Sequence, residues 1–351
     1  MSPQHRLAQF STPIFAVGGA VVVAAAIITA AGLDAGAALR AAVDGAFGDS
    51  FAVFSATLKR MTPLLMLGIA VAVAFRAGVL NIGAEGQFLA GATAATAVAL
   101  QLPGMFGPLV FLAALAAGAI AGAGWAAIAA WLRRRYQVTE VVSTLLLNFV
   151  ALNLVGFLIR GPLQEPTGAY PQSSTIPNVG KLPLLFAEHR LHLGFLIALA
   201  TVLGTWWVLK FTAAGFRLRA TGASPDAARS AGQIPVERVQ AMALVASGAI
   251  AGLAGASELT GVTHALYEGI SPGYGYTAIG VALLGGLHPG GILLAAIFFG
   301  ALGAGADAMQ REAAVPAEFA SVVAAIVILG VLAVPGLTAR FSNGGHARNA
   351  T

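Results

Sequence analysis

The decisive stretch is Leu80-Asn81-Ile82-Gly83-Ala84-Glu85-Gly86-Gln87-Phe88, LNIGAEGQF. Asn81, Glu85 and Gln87 fall close together, spaced by Gly83 and Gly86, with apolar runs on both sides. A carboxylate near a bilayer centre costs about 2.5–3.5 kcal/mol on insertion scales, so it faces a cavity or a partner. The glycines permit a break in the helix. Irregular backbone at membrane depth is tolerated only where protein or a watery cavity covers it. LNIGAEGQF therefore reads as an interruption between helices, buried in protein. Glu85 either handles a solute, pairs with Arg76, or caps the helix beginning near Gly86.

Composition supports a lipid solvent. The 351 residues are 58% hydrophobic and 9% charged, against about 25% charged in soluble domains. The 44 glycines suit close packing of membrane helices. With no cysteine, disulfides and thiolate metal sites are excluded. The net charge of +5 is not a nucleic-acid signal, because in a membrane chain the placement of Lys and Arg is what matters.

Apolar segments near 13–33, 61–77, 85–101, 107–132, 139–160, 193–211, 239–257, 273–287, 290–306 and 317–337 predict an all-α polytopic protein of about ten spans. The first is longer than the apolar core of a cleavable signal and reads as a retained helix, with cleavage as the alternative. Segments 61–77 and 273–287 run into glycine-rich sequence and read as broken helices. Arg133, Arg134, Arg135, Lys210, Arg217, Arg219, Arg229, Arg238, Arg340 and Arg348 fall on one side of the alternation, most acids on the other. The positive-inside rule then places both termini in the cytoplasm. The expected organisation is one transmembrane domain over 1–341 with a polar tail, 342–351. Within 34–60, Leu39, Val43, Phe47, Phe51, Phe54 and Leu58 recur every three or four residues, the pattern of an amphipathic helix on the outer membrane face. Residues 161–192, with five prolines, predict an irregular outer loop.

Two further polar constellations accompany LNIGAEGQF. Glu140, Ser143, Thr144, Leu147 and Asn148 share one helix face, Asn148 being the deepest polar group. It either lines a pathway or makes an interhelical hydrogen bond. In Glu268–Gly291, Pro272, Gly273 and Gly275 break the backbone, and Tyr274 and Tyr276 alternate with glycine. These rings either stack on a planar or sugar-like ligand or anchor a helix end at the interface. Glycine-interrupted segments in both halves loosely match the pattern of inverted-repeat transporters. The cytoplasmic loop 212–238 is longer than a turn requires. Ser224 suits an N-cap, Pro225 the first helical position, Asp226 the helix dipole and Gly232 a C-cap. The short helix Pro225–Ala231 reads as a docking surface.

Four segments, GVLNIGAEGQFLAGA, EVVSTLLLNFVALNL, GASPDAARSAGQIP and SPGYGYTAIGVALLGGLHPGGILLAAIFFGAL, resemble permease subunits of bacterial ABC importers. The family is the branched-chain amino acid, ribose and nucleoside superfamily, and the nucleoside or simple-sugar branch is the most similar. The resemblance covers about residues 60 to 337. It implies a non-enzymatic subunit of the bacterial cytoplasmic membrane, paired with a second, different permease. A cytoplasmic ATPase carries the ATP and Mg, none being held by this chain, and an extracytoplasmic lipoprotein delivers the substrate, a nucleoside, with a simple sugar or a branched-chain amino acid as the alternatives. It further implies that Asn81–Gln87 lies beside the translocation path, with Asn81, Glu85, Gln87 and Asn148 as polar candidates and Phe88, Tyr274 and Tyr276 as stacking candidates. Ser224, Pro225, Asp226, Ala227, Ala228, Arg229, Ala231 and Gly232 then form the coupling helix. An ion-coupled secondary transporter would need a relay of intramembrane acids or histidines, and here only Glu85, Glu140 and Glu258 qualify. A scaffold protein would leave the long loop unexplained.

Overall fold

The computed structural model describes residues 3–330 except 103, 105, 187, 233, 317 and 320, and omits the side chains of 3–16 and 231. The polar tail 342–351, the end of the segment 317–337 and the Ala231 side chain lie outside the described residues. The chain is helical, and among the described residues β pairing is limited to isolated bridges.

The helices are α1 (Pro3–Ala30), α2 (Ala35–Phe47), α3 (Leu58–Arg76), α4 (Ala84–Gln101), α5 (Gly107–Tyr136), α6 (Glu140–Ile159), α7 (Gly194–Phe211), α8 (Ala213–Ala223), α9 (Pro225–Gly232), α10 (Val236–Glu258), α11 (Tyr274–Leu284), α12 (Pro289–Ala313) and α13 (Ser321–Gly330). Among the described residues, six helical segments are long and apolar enough to cross a membrane: Ala52–Arg76, Gly107–Tyr136, Glu140–Ile159, Gly194–Phe211, Val236–Thr263 and Pro289–Ala313. Helix α11 has 11 residues. At 1.5 Å per residue it reaches only about half the hydrocarbon thickness.

Packing groups the chain into two units, Met1–Thr57 with Ile297–Thr351, and Leu58–Ala296. In the first, Asp34 caps α2: its Oδ1 accepts from the Gly36 and Ala37 backbone N–H groups at 2.8 and 3.0 Å. Those bonds hold the Asp34 carboxyl below the usual carboxylate range. Ala38 and Ala41 pack with Ile28, Ala306, Met309 and Val315. The stripe expected over 34–60 is divided at Gly48–Asp49. Leu39, Val43, Phe47 and Phe51 are exposed. From Ala52 the chain is π-helical and leads into α3, with Asp49 Oδ1 accepting from the Ala52 N–H. Phe54 and Leu58 thus belong to the next helical segment.

The second unit is built around α3, α4 and α10. Every residue from Met61 to Ala74 of α3 is buried. Helices α4, α5 and α10 meet through glycine. A Cβ on Gly252 of α10 would lie 2.1 Å from the Gly118 carbonyl oxygen of α5, so only hydrogen permits this approach. Small residues at such crossings replace the hydrophobic driving force, which lipid does not supply between membrane helices.

The loop after α6 is irregular, as its prolines predict, but it is tied to the chain after α10. Ser173, Ile176 and Leu182 N–H groups donate to the Leu266, His264 and Thr260 carbonyls at 2.8–2.9 Å.

Candidate functional site

Two helices of the second unit begin inside the bundle, and their N-termini meet. The segment between α3 and α4 is non-helical and delivers α4 beside α6. The segment before α11 brings that helix against the start of α4 as well. A Cβ on Gly275 would lie 2.3 Å from the Glu85 backbone nitrogen, so glycine is required there. Each helix start carries unpaired N–H groups and about half a positive charge. Bringing two together without water requires acceptors from elsewhere.

Those acceptors come in trans. Asn148 Oδ1, from α6, accepts from the Gly86 N–H at 2.8 Å. Glu85 Oε2, from α4, accepts from the Gly275 N–H at 2.7 Å in the first turn of α11. Ser271 is a second hydrogen-bond partner of the Glu85 carboxylate. Its hydroxyl also accepts from the Gly273 and Tyr274 N–H groups. Asn148 spends its amide as well, donating to the Ile82 carbonyl at 2.9 Å and to the Tyr276 hydroxyl at 3.3 Å. One α6 side chain therefore touches both interruptions.

Asn81 has a different task. It is fully buried and faces Gln87 through two reciprocal amide hydrogen bonds of 2.9 and 3.1 Å. Its Nδ2 also donates to Ser247 Oγ on α10, and the Ser247 hydroxyl donates to the Ala70 carbonyl on α3. Asn81 Oδ1 accepts from the Gly83 N–H, closing the turn into α4. This network joins four segments and leaves neither amide facing solvent.

Residues 53–332 match the family described as branched-chain amino acid transport system, permease component. The chain belongs to this permease family. The permease is 37% identical to the glucose ABC transporter permease protein TsgB13 of Haloferax volcanii, over 91% of this chain and 86% of that one. It is 36% identical to the guanosine ABC transporter permease protein NupP of Bacillus subtilis, over 93% and 94% of the two chains. A second chain of that organism, the guanosine ABC transporter permease protein NupQ, is 30% identical over 71% and 79%. The permease is thus a membrane transport subunit and not an enzyme.

The seven sequence candidates separate within the permease. Asn81, Gln87 and Phe88 are buried. Phe88 supports Tyr274 edge-on, with ring centroids 6.1 Å apart, and presents no open stacking face. Glu85 and Asn148 are buried helix caps. Tyr274 is half-buried; only Tyr276, at 42%, is broadly exposed. Arg76 is not the partner of Glu85: its Nε donates to the Leu287 carbonyl at 2.7 Å. Glu85 does cap a helix, but α11 and not its own. Along α6 from Asn148, a cleft is lined by Leu152, Asn153, Phe157, Arg160 and Glu268. Arg160 and Glu268 form an ion pair there, which lowers the Glu268 carboxyl and raises the Arg160 guanidinium. Neither this pair nor Ser247 stands out in the sequence. Arg160 and Glu268 lie far apart in the chain, and one serine in an apolar helix gives no signal.

Helix α9 follows its capping residues. Ser224 Oγ accepts from the Ala227 N–H at 3.3 Å. Ser224, Pro225, Asp226, Ala227, Arg229 and Gly232 are exposed. Ala228 is not: it packs with Ile234 and Val236 against α8 and α10. Arg229 bridges Asp226 and Glu237 at 2.9 and 2.6 Å. The outward face therefore runs through Asp226, Ala227 and Ser230, while Ala228 anchors it.

Proposed function

We propose that the permease forms one wall of a nucleoside translocation path in a bacterial ABC importer, along the face bearing Tyr276 and the α6 cleft. The observation that carries this reading is the α4–α6–α11 junction. Two interrupted helices, fixed by buried side-chain caps, bring the exposed Tyr276 ring to Asn148 of α6, four residues before the lining of a cleft with amide and charged groups. Such breaks recur where transporters hold polar solutes. A flat base with a hydroxylated sugar suits one exposed ring and a few polar groups, which bind weakly enough to release it. The guanosine permeases among the relatives support a nucleoside; the glucose permease supports a simple sugar as the second reading.

The proposed topology has ten spans, α1, α3 to α7 and α10 to α13, with both termini cytoplasmic. The clustering of basic helix ends supports it. Arg133 at the end of α5 donates to Gln240 at the start of α10, and Gln240 donates to the Ala77 carbonyl just after α3. Helices α8 and α9 adjoin the same ends. That side faces the cytoplasm and receives a separate ATPase on α9. The opposite side, with the loop 161–192, receives a substrate-binding lipoprotein. A second permease completes the path, as the NupP and NupQ pair of relatives suggests.

The test is uptake of labelled nucleosides and glucose into proteoliposomes holding the permease with its partners. Tyr276→Ala is expected to assemble normally and weaken nucleoside transport several-fold; an unchanged rate for every solute refutes the path assignment. Because the chain lacks cysteine, Ser230→Cys and Thr175→Cys check the topology directly. An impermeant thiol reagent is expected to label Thr175→Cys from outside and not Ser230→Cys.

A further inference from the structure

The C-terminal ends of α3 and α7, helix α8 and the turn before α12 line a second cleft, of about 220 Å³. Arg76, Lys210, Arg219 and His288 line it, with Trp206 and Leu209. No carboxylate pairs with Arg76, Lys210 or Arg219 among the described residues. Arg76 and Arg219 are close enough to repel. The positive-inside pattern uses Lys210 and Arg219 to orient the chain, but it does not account for their meeting Arg76 and His288 at one cleft.

Each of these groups can donate. Arg76 is fixed by its Nε bond to the Leu287 carbonyl, which leaves its terminal nitrogens for another acceptor. His288 Nδ1 accepts from the Gly290 N–H at 3.2 Å, so in the neutral ring the proton sits on Nε2, and Nε2 is a donor. Lys210 Nζ lies 5.1 Å from the Trp206 ring centroid and 5.2 Å from that of Phe211. Cation–π contacts hold it beside the aromatic end of α7, and aromatic side chains of this kind are enriched at membrane interfaces.

We propose that this cleft binds the phosphate of an anionic phospholipid. Charge complementarity selects a phosphate group, for which clustered Arg and Lys are the usual recognition set. The surroundings select a lipid as its source. The cleft opens beside α7, the helix whose apolar window is least covered by protein, at 22% buried. Leu196, Leu203, Trp207 and Phe211 are exposed along α7. They give acyl chains an apolar surface continuous with the headgroup site. The inference does not depend on which solute is carried, nor on which side of the membrane the cleft faces.

The test uses the permease complex in detergent and in nanodiscs. Phosphatidylglycerol retained per complex is counted by native mass spectrometry, and affinity is read by titrating the same lipid against phosphatidylcholine. Lys210→Gln with Arg219→Gln is expected to weaken phosphatidylglycerol binding about thirty-fold, from about 1 kcal/mol per cation at a membrane surface. Arg134→Gln with Arg135→Gln, which removes two exposed charges outside the cleft, is expected to leave binding unchanged. Retention by the first variant overturns the proposal, as does equal loss in the second. Displacement of the lipid by inorganic phosphate at comparable concentration makes this a soluble-phosphate site and also overturns it. Nucleoside uptake is scored separately, so failure of the path assignment leaves these outcomes readable.

Discussion

Replacing Asn148 with alanine separates a structural cap from a solute contact. The substitution removes three hydrogen bonds, one serving the buried Gly86 N–H and one the part-buried Ile82 carbonyl. The Gly86 N–H would lose its partner at about 1–3 kcal/mol and the Ile82 carbonyl at about 0.5–1.5 kcal/mol. The third bond, to the partly exposed Tyr276 hydroxyl, adds little because water can replace it. The expected loss is therefore about 1.5–4.5 kcal/mol, a large share of the roughly 5–15 kcal/mol by which folded proteins are stable. Asn148→Ala should lower both the yield of assembled complex and its midpoint of thermal aggregation. Transport per assembled complex should fall much less. Tyr276→Phe, which removes only the hydroxyl, should assemble with native yield and midpoint. The two variants are compared by size-exclusion chromatography and by scattering during a thermal ramp. If Asn148→Ala assembles and melts like the native protein, the trans cap does not hold α4 in place and the reasoning from the junction fails.

Three other outcomes are expected. His192 is buried, with Nδ1 accepting from the Gly194 N–H, and burial, aided by the Lys59 charge, lowers its imidazole from 6.5 to about 4. The unfolded chain protonates His192 first as pH falls, so about 3 kcal/mol of stability should drain away between roughly pH 6.5 and 4. In His192→Asn, which keeps an acceptor for Gly194, that part of the pH dependence of the melting midpoint should vanish. On α9, Ala227→Glu with Ser230→Glu should abolish stimulation of the ATPase by substrate-loaded lipoprotein while the complex still inserts; Ala228→Glu should instead reduce assembly, as scored by pull-down. Gly252→Val drives side-chain carbon into the α5 backbone and should cost at least the 1–3 kcal/mol of core overpacking, read as loss of folded protein on gel filtration.

Much of the architecture is visible in the order of residues because hydropathy and glycine report directly on what a segment must avoid. The apolar runs mark helices α3 to α7 and α10 to within a few residues. The glycines of LNIGAEGQF and SPGYGYTA mark the two interruptions. Partnership is less legible. Glu85 and Arg76 share a chain neighbourhood, which suggests a pair, but the junction turns Glu85 toward Gly275 across the bundle. Asn148 is marked as special by its depth on α6, yet its partners are backbone groups, and backbone leaves no trace in composition. The same limit hides Ser247. It also hides the inward turn of Ala228, since alanine suits either face of a short helix. The break at Gly48–Asp49 is missed for another reason: one apolar stripe carries through two helical segments, exposed at Leu39, Val43, Phe47 and Phe51 and half-buried at Phe54 and Leu58.

The reciprocal caps also bear on motion. Separating α4 from α11 would strip the Gly275 N–H of its carboxylate while water is absent, and separating α4 from α6 would do the same to Gly86. Each rupture has an energetic penalty with no replacement partner at hand. The three helices are therefore expected to travel as one rigid body through a transport cycle. Sliding is cheaper along surfaces whose contacts are only apolar, such as the outer faces of α6 and α7. A crosslink within the junction should then leave turnover intact, whereas one between α6 and a neighbouring subunit should arrest it.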